Sequence, residues 1–109
     1  MPTRSAKLFS VHPLAGVGTN AVAVPAGYTY IVKSATVFNT GGVADTIYVQ
    51  GVDPVVNIAP FWQAYVLPAG AFVRWDGWVV LAPADYILVL STTGASLFWM
   101  SGTKLLGVA

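Results

Sequence analysis

The feature that most limits what this chain can fold into is its punctuation. Gly or Pro interrupts nearly every run longer than about ten residues, and the runs between them are dominated by Val, Thr, Ile, Tyr, Phe and Trp. Helices do not survive Pro at that spacing, and no window carries apolar residues at helical periodicity. The pattern predicts an all-β chain with strands over residues 6–12, 20–24, 28–39, 44–51, 61–67, 71–75, 78–81, 86–90, 96–101 and 103–108. Val24-Pro-Ala-Gly27 and Leu67-Pro-Ala-Gly70 repeat one turn, with Pro to preset φ and Gly for the positive-φ position; Leu81-Ala-Pro-Ala-Asp85 is a related third. Asn39-Thr-Gly-Gly42 predicts a hairpin pairing 44–51 with 28–39, and the Ser-Thr-Thr-Gly tetrad at 91–94 a second one. A reused turn fits Greek-key hairpins, so the expected architecture is an antiparallel β-sandwich, jelly-roll-like, of eight to ten short strands. The 109 residues make one sandwich domain, 14–109, preceded by an extended arm over 1–13.

Such a sandwich has little charge with which to cover its surface. Charged residues make up 8% of the chain and apolar ones 56%, where about a quarter charged is usual. A monomer of 11.4 kDa exposes on the order of 5,800 Å², so its nine charges stand at roughly one per 640 Å². Surfaces this bare self-associate, which predicts that other protein covers much of the domain. Two strands point the same way. Tyr28, Tyr30, Val32, Ser34, Thr36 and Phe38 alternate with Thr29, Ile31, Lys33, Ala35 and Val37, so both faces are partly apolar, and 86–90 is apolar throughout. Either a second subunit covers the outer side, or a β-bulge near Lys33-Ser34 exchanges the faces midway.

Several function classes drop out. Five Lys or Arg against four Asp and no Glu give a formal charge of +1 and no basic groove for nucleic acid. Mean hydropathy is +0.70, yet Pro, Gly or the Ser-Thr-Thr-Gly tetrad breaks each charge-free stretch, so no membrane span is expected. The first seven residues lack an apolar segment after their charges, so no export signal is expected, and without Cys there is no disulfide or thiolate chemistry. The ionisable groups are scattered, with no nucleophile elbow, phosphate loop or metal-ligand spacing. No catalytic residue, cofactor or metal is expected, and the chain is not read as an enzyme. Asp45, Asp53 and Asp85 flank turns whose N–H groups they would cap. Asp76-Gly77 predicts a tight turn with Trp75 and Trp78 as cross-strand partners, near Trp62 and Tyr65. Such aromatics serve protein packing or, beside Asp and Gln, stack on sugar rings.

The succession Val24-Pro-Ala-Gly-Tyr-Thr-Tyr-Ile-Val-Lys-Ser-Ala-Thr-Val-Phe-Asn-Thr40, Leu67-Pro-Ala-Gly70, Val80-Leu-Ala-Pro-Ala-Asp-Tyr-Ile-Leu-Val-Leu-Ser91 and Met100-Ser-Gly102 resembles small β-sandwich virion proteins of tailed bacteriophages. The similarity covers roughly residues 20–103, and Ala84 stands where that pattern usually has Gly before its last Asp. The resemblance implies a virion structural protein made in the host cytoplasm and seated on the capsid surface. Its first form is a head decoration (cement) protein, often a homotrimer, that binds the major capsid protein through terminal arms. A glycan- or receptor-binding module of a tail or fibre, and a ring-forming connector or tail component, are the alternatives. The interface residues expected are Arg4, Lys7, Phe9 and His12 on the arm, with Trp62, Tyr65, Trp75, Trp78 and Trp99 on the sandwich.

Overall fold

The computed structural model describes residues 6–53 and 58–106, which hold eight strands and no helix. These are β1 (Ala6–Val11), β2 (Thr19–Ala23), β3 (Tyr28–Asn39), β4 (Asp45–Val52), β5 (Ile58–Leu67), β6 (Phe72–Leu81), β7 (Tyr86–Ser91) and β8 (Ser96–Leu106). Two antiparallel sheets result, ordered β1-β8-β3-β6 and β2-β7-β4-β5. Each strand of the first half lies beside its counterpart counted back from the end: β1 by β8, β2 by β7, β3 by β6, β4 by β5. The chain is one long antiparallel hairpin, rolled so that successive pairs alternate between sheets, which is a jelly-roll-like sandwich. The predicted all-β class and sandwich are what the chain adopts.

The rolling changes what several turns do. β3 pairs with β6 and β8, and β4 with β5 and β7, so Asn39–Gly42 crosses between sheets where a hairpin was expected. The β7–β8 connection crosses likewise. Buried side chains pull both across. Asn39 Nδ2 donates to the carbonyls of Val43 (2.8 Å) and Leu67 (3.0 Å), and its Oδ1 accepts the Gly41 N–H. The Thr40 N–H donates to Ala95 O (3.0 Å), so the two crossings support each other.

The segments predicted over 71–75 and 78–81 join in the single strand β6, and 96–101 joins 103–106 in β8, which gives eight strands, the lower end of the expected range; residues 107–108 of the last predicted segment lie outside the described residues. A tight turn at Asp76-Gly77 needs positive φ at Gly77, which it lacks. Gly77 and Trp78 instead lie between the pairs Asp76–Ser34 and Val79–Val32, opposite Lys33, as a bulge. β5 begins at Ile58, inside the expected loop. The two Pro-Ala-Gly turns start one residue later than predicted. Tyr28 N–H donates to Pro25 O and Ala71 N–H to Pro68 O, which puts Pro first and Gly27 (φ 83°) or Gly70 (φ 71°) third. The third turn is equally tight despite Ala84, which takes φ 74° while Asp85 N–H donates to Ala82 O at 3.0 Å.

The ambiguous alternation of β3 is resolved by its bulge. Val32 faces Gly102 and Ser34 faces Ser101, so Lys33 is an extra residue relative to β8. Tyr30 and Val32 therefore point into the core before it, and Ala35, Val37 and Asn39 after it. In β7, Ile87, Val89 and Ser91 are buried, while Leu88 and Leu90 are half-buried on the outside, opposite Gln50 and Tyr48. Neither pattern requires a second subunit. A shift in β1 likewise turns both Leu8 and Phe9 inward. At Gly102 a Cβ would lie 1.9 Å from Ile31 O, so only glycine lets β8 pass β3 there. Between the sheets, Val32, Val37, Ile47, Val49, Ile87, Val89, Phe98 and Met100 form the centre of the core.

Candidate protein-binding face

Strand register decides which side chains share the outer face of the β1-β8-β3-β6 sheet. Leu97, Phe38 and Phe72 form one row, and Ser10, Trp99, Thr36 and Arg74 the next. Lys7, Ser101, Ser34 and Asp76 form a third, and Trp78 and Val80 continue β6 past its bulge. Five large apolar side chains of this face stand in solvent: Trp78 is 71% exposed, Phe72 68%, Val80 61%, Trp99 53% and Phe38 41%. Typical monomers confine their largest apolar patch to about 300–600 Å², and such patches mark contact surfaces. Two pairs of the polar groups between them bond to each other. Arg74 Nε reaches both oxygens of Asp76 at 3.1 Å, and the hydroxyls of Ser34 and Ser101 are 2.6 Å apart. The ion pair is solvent-exposed and adds little to stability.

The sequence-predicted interface residues divide. Trp78 and Trp99 stand on this face, and exposed Lys7 lies in its third row. Trp75 points the other way, into the core, edge-to-face on Phe61 with ring centroids 4.7 Å apart, and seals the side between β5 and β6. Trp62 also packs on the core from β5, and Tyr65 is 42% exposed on the same strand. Trp75 and Trp78, expected as neighbours across a turn, therefore lie on opposite faces of one strand and form no shared platform for a sugar ring. Phe9 is buried in the core, His12 is exposed, and Arg4 lies outside the described residues. Residues 6–11 of the expected arm pair with β8 of the same chain. Phe38, Phe72 and Val80 were not singled out from the sequence. Their signal was the alternation of Phe72, Arg74 and Asp76 against Val73 and Trp75, where the charges mark the outer side.

The buried polar groups are structural. Asp45, 1% exposed, accepts from the hydroxyls of Ser91, Ser96 and Thr92 and from the Thr93 N–H. Burial by itself pushes its pKa up; the hydrogen bonds from Ser91, Ser96, Thr93 and Thr92 outweigh it and hold the carboxyl at about 2. With both oxygens occupied inside the crossing, this carboxylate caps the distant β7–β8 turn through the Thr93 N–H, and not the turn beside it in sequence where a cap was expected. Asp85 caps its own turn through the Ala82 N–H (2.8 Å). Among the described residues no three of His, Cys, Asp and Glu gather as metal ligands, and no helix is long and apolar enough to cross a membrane.

No protein-family model and no curated protein matches the chain. Solved structures that resemble it include two crystal structures of a pentameric capsid protein isolated from metagenomic phage sequences. The first aligns with a TM-score of 0.48 at 14% identity, over 91% of this chain and 61% of that one. The second aligns at 0.43 and 14%, over 94% and 60%. The chain thus spans about three fifths of the length of each.

Proposed function

We propose that this chain is a non-enzymatic structural protein of a bacteriophage virion, and within that class a head decoration protein that reinforces the major capsid lattice. The observation that carries the reading is the outer face of the β1-β8-β3-β6 sheet, where Trp78, Phe72, Val80, Trp99 and Phe38 stand in water on a chain with almost no surface charge. A face of that kind, at the upper end of what monomers expose, marks a contact surface. The virion assignment draws on the sequence resemblance over residues 20–103, and jelly-roll sandwiches serve capsid shells as well as lectins. The lectin-like alternative loses its main support, because the Trp75–Trp78 pair does not form.

A decoration protein stabilises by mass action: many copies bind the mature lattice and oppose any state that lacks their sites. In this reading the surfaces away from the apolar face meet the major capsid protein. The test is co-sedimentation of the purified protein with phage heads stripped of accessory proteins. Binding that raises the heat resistance of the heads supports the proposal; heads that neither bind the protein nor gain stability refute it.

A further inference from the structure

We infer that the outer face of the β1-β8-β3-β6 sheet is the contact between copies of this chain, so that its occupant is a second copy. The inference rests on the assembly reading above but does not need the virion. Three observations lead to it. The first is area: side chains of this size carry about 150–250 Å² each, so the exposed parts of Trp78, Phe72, Val80, Trp99 and Phe38 sum to roughly 600 Å². Two such faces supply about 1,200 Å², the lower bound for a stable protein–protein interface, before any polar rim is counted.

The second is the state of the sheet edges. Each of the four edge strands carries a register shift against its neighbour: β1 between Lys7 and Phe9, β2 between Asn20 and Val22, β5 around Ala64 (φ 51°), and β6 at Gly77. Bulged, twisted edges are poor templates for an added strand, so copies that associate do so through faces. The third is charge. Arg74 and Asp76 neutralise each other on the face, leaving Lys7 and Lys33 as its excess. Both lysines are solvated and screened within about 10 Å at ordinary salt, so they do not hold two apolar faces apart.

The test is sedimentation velocity on the purified chain, on Trp78→Thr/Phe72→Thr, and on Leu14→Ser, which alters an equally exposed apolar residue in the β1–β2 connection. The expected results are a discrete oligomer for wild type that persists in 1 M salt, the same oligomer for Leu14→Ser, and an 11.4 kDa monomer for the double variant. Thermal melts confirm that the double variant is folded, since both positions are on the surface of an edge strand. A wild-type chain that stays monomeric to roughly 100 µM overturns the inference, as does an oligomer that survives the double substitution or dissolves in salt. A monomer that still binds phage heads refutes this inference alone, whereas an oligomer that ignores them refutes only the virion reading.

Discussion

The Asp45 cluster makes a quantitative statement about acid. Its carboxyl is held at about 2 in the folded chain, against 3.8 for a free aspartate. A folded-state pKa below the unfolded one stabilises wherever the group is ionised in both states, so the contribution is complete above about pH 5 and is withdrawn as pH falls towards 2. The difference is worth roughly 2 kcal/mol, most of it gone at pH 2, where the unfolded aspartate is protonated and the folded one about half so. Asp45→Asn keeps the side-chain shape and lets the hydroxyls of Ser91 and Ser96 rotate to pair with an amide, while removing the titration. Urea unfolding followed by Trp fluorescence should find the variant about 2 kcal/mol less stable than wild type at pH 6.5, with the gap closing below pH 2.5. A stability gap that stays constant between pH 6.5 and pH 2 would refute the argument, because the loss would then be one of packing and not of charge.

Other substitutions test the fold's tight points. Gly102→Ala drives a methyl into the Ile31 carbonyl and should cost at least about 3 kcal/mol, seen as a lost or strongly lowered urea midpoint; a change below about 1 kcal/mol would contradict the close strand approach. Ala84→Gly relieves a left-handed φ worth about 1–2 kcal/mol while adding about 0.4–1 kcal/mol of unfolded-state freedom, so a gain of roughly 0.5 kcal/mol is expected in thermal or urea melts. At protein concentrations low enough to keep the chain monomeric, Trp75→Ala should destabilise by about 2–4 kcal/mol by opening the seam with Phe61, while Trp78→Thr should stay within about 0.5 kcal/mol. Equal effects at the two tryptophans in urea unfolding would contradict their opposite orientations.

Strand positions were legible in this sequence because they are local: Pro, Gly and Asn set the breaks, and β3 and β7 fall almost where the pattern put them. Strand partners were not. Asn39-Thr-Gly-Gly has the residue types of a hairpin turn, but Asn39 spends its amide on carbonyls of Val43 and Leu67, and residue 67 is far away in sequence. The choice between turn and crossing is therefore non-local. Trp75 and Trp78 fail for a related reason. Asp-Gly reads as a turn on its own, and only the neighbouring β3, with its extra Lys33, converts it to a bulge in a continuous strand. Gly77 then serves clearance, since a Cβ there would meet the Trp75 ring at 2.7 Å.

The bulge also separates what the fold demands from what it leaves open. It accounts for the apolar residues on both sides of β3's pattern by turning Val32 and Val37 into one core, although their spacing would otherwise put them on opposite faces. No such account exists for Phe72, Trp78 and Trp99. Polar or β-branched residues at those positions would keep every strand pairing and every buried contact, and would raise solubility. Edge strand β6 shows this within ten residues. Its inward set, Val73, Trp75, Val79 and Leu81, is fixed by the core, while its outward set carries Arg74 and Asp76 where the face tolerates water and Phe72, Trp78 and Val80 where it does not. Side chains that folding does not require and water disfavours are the ones the proposed contact between copies would cover.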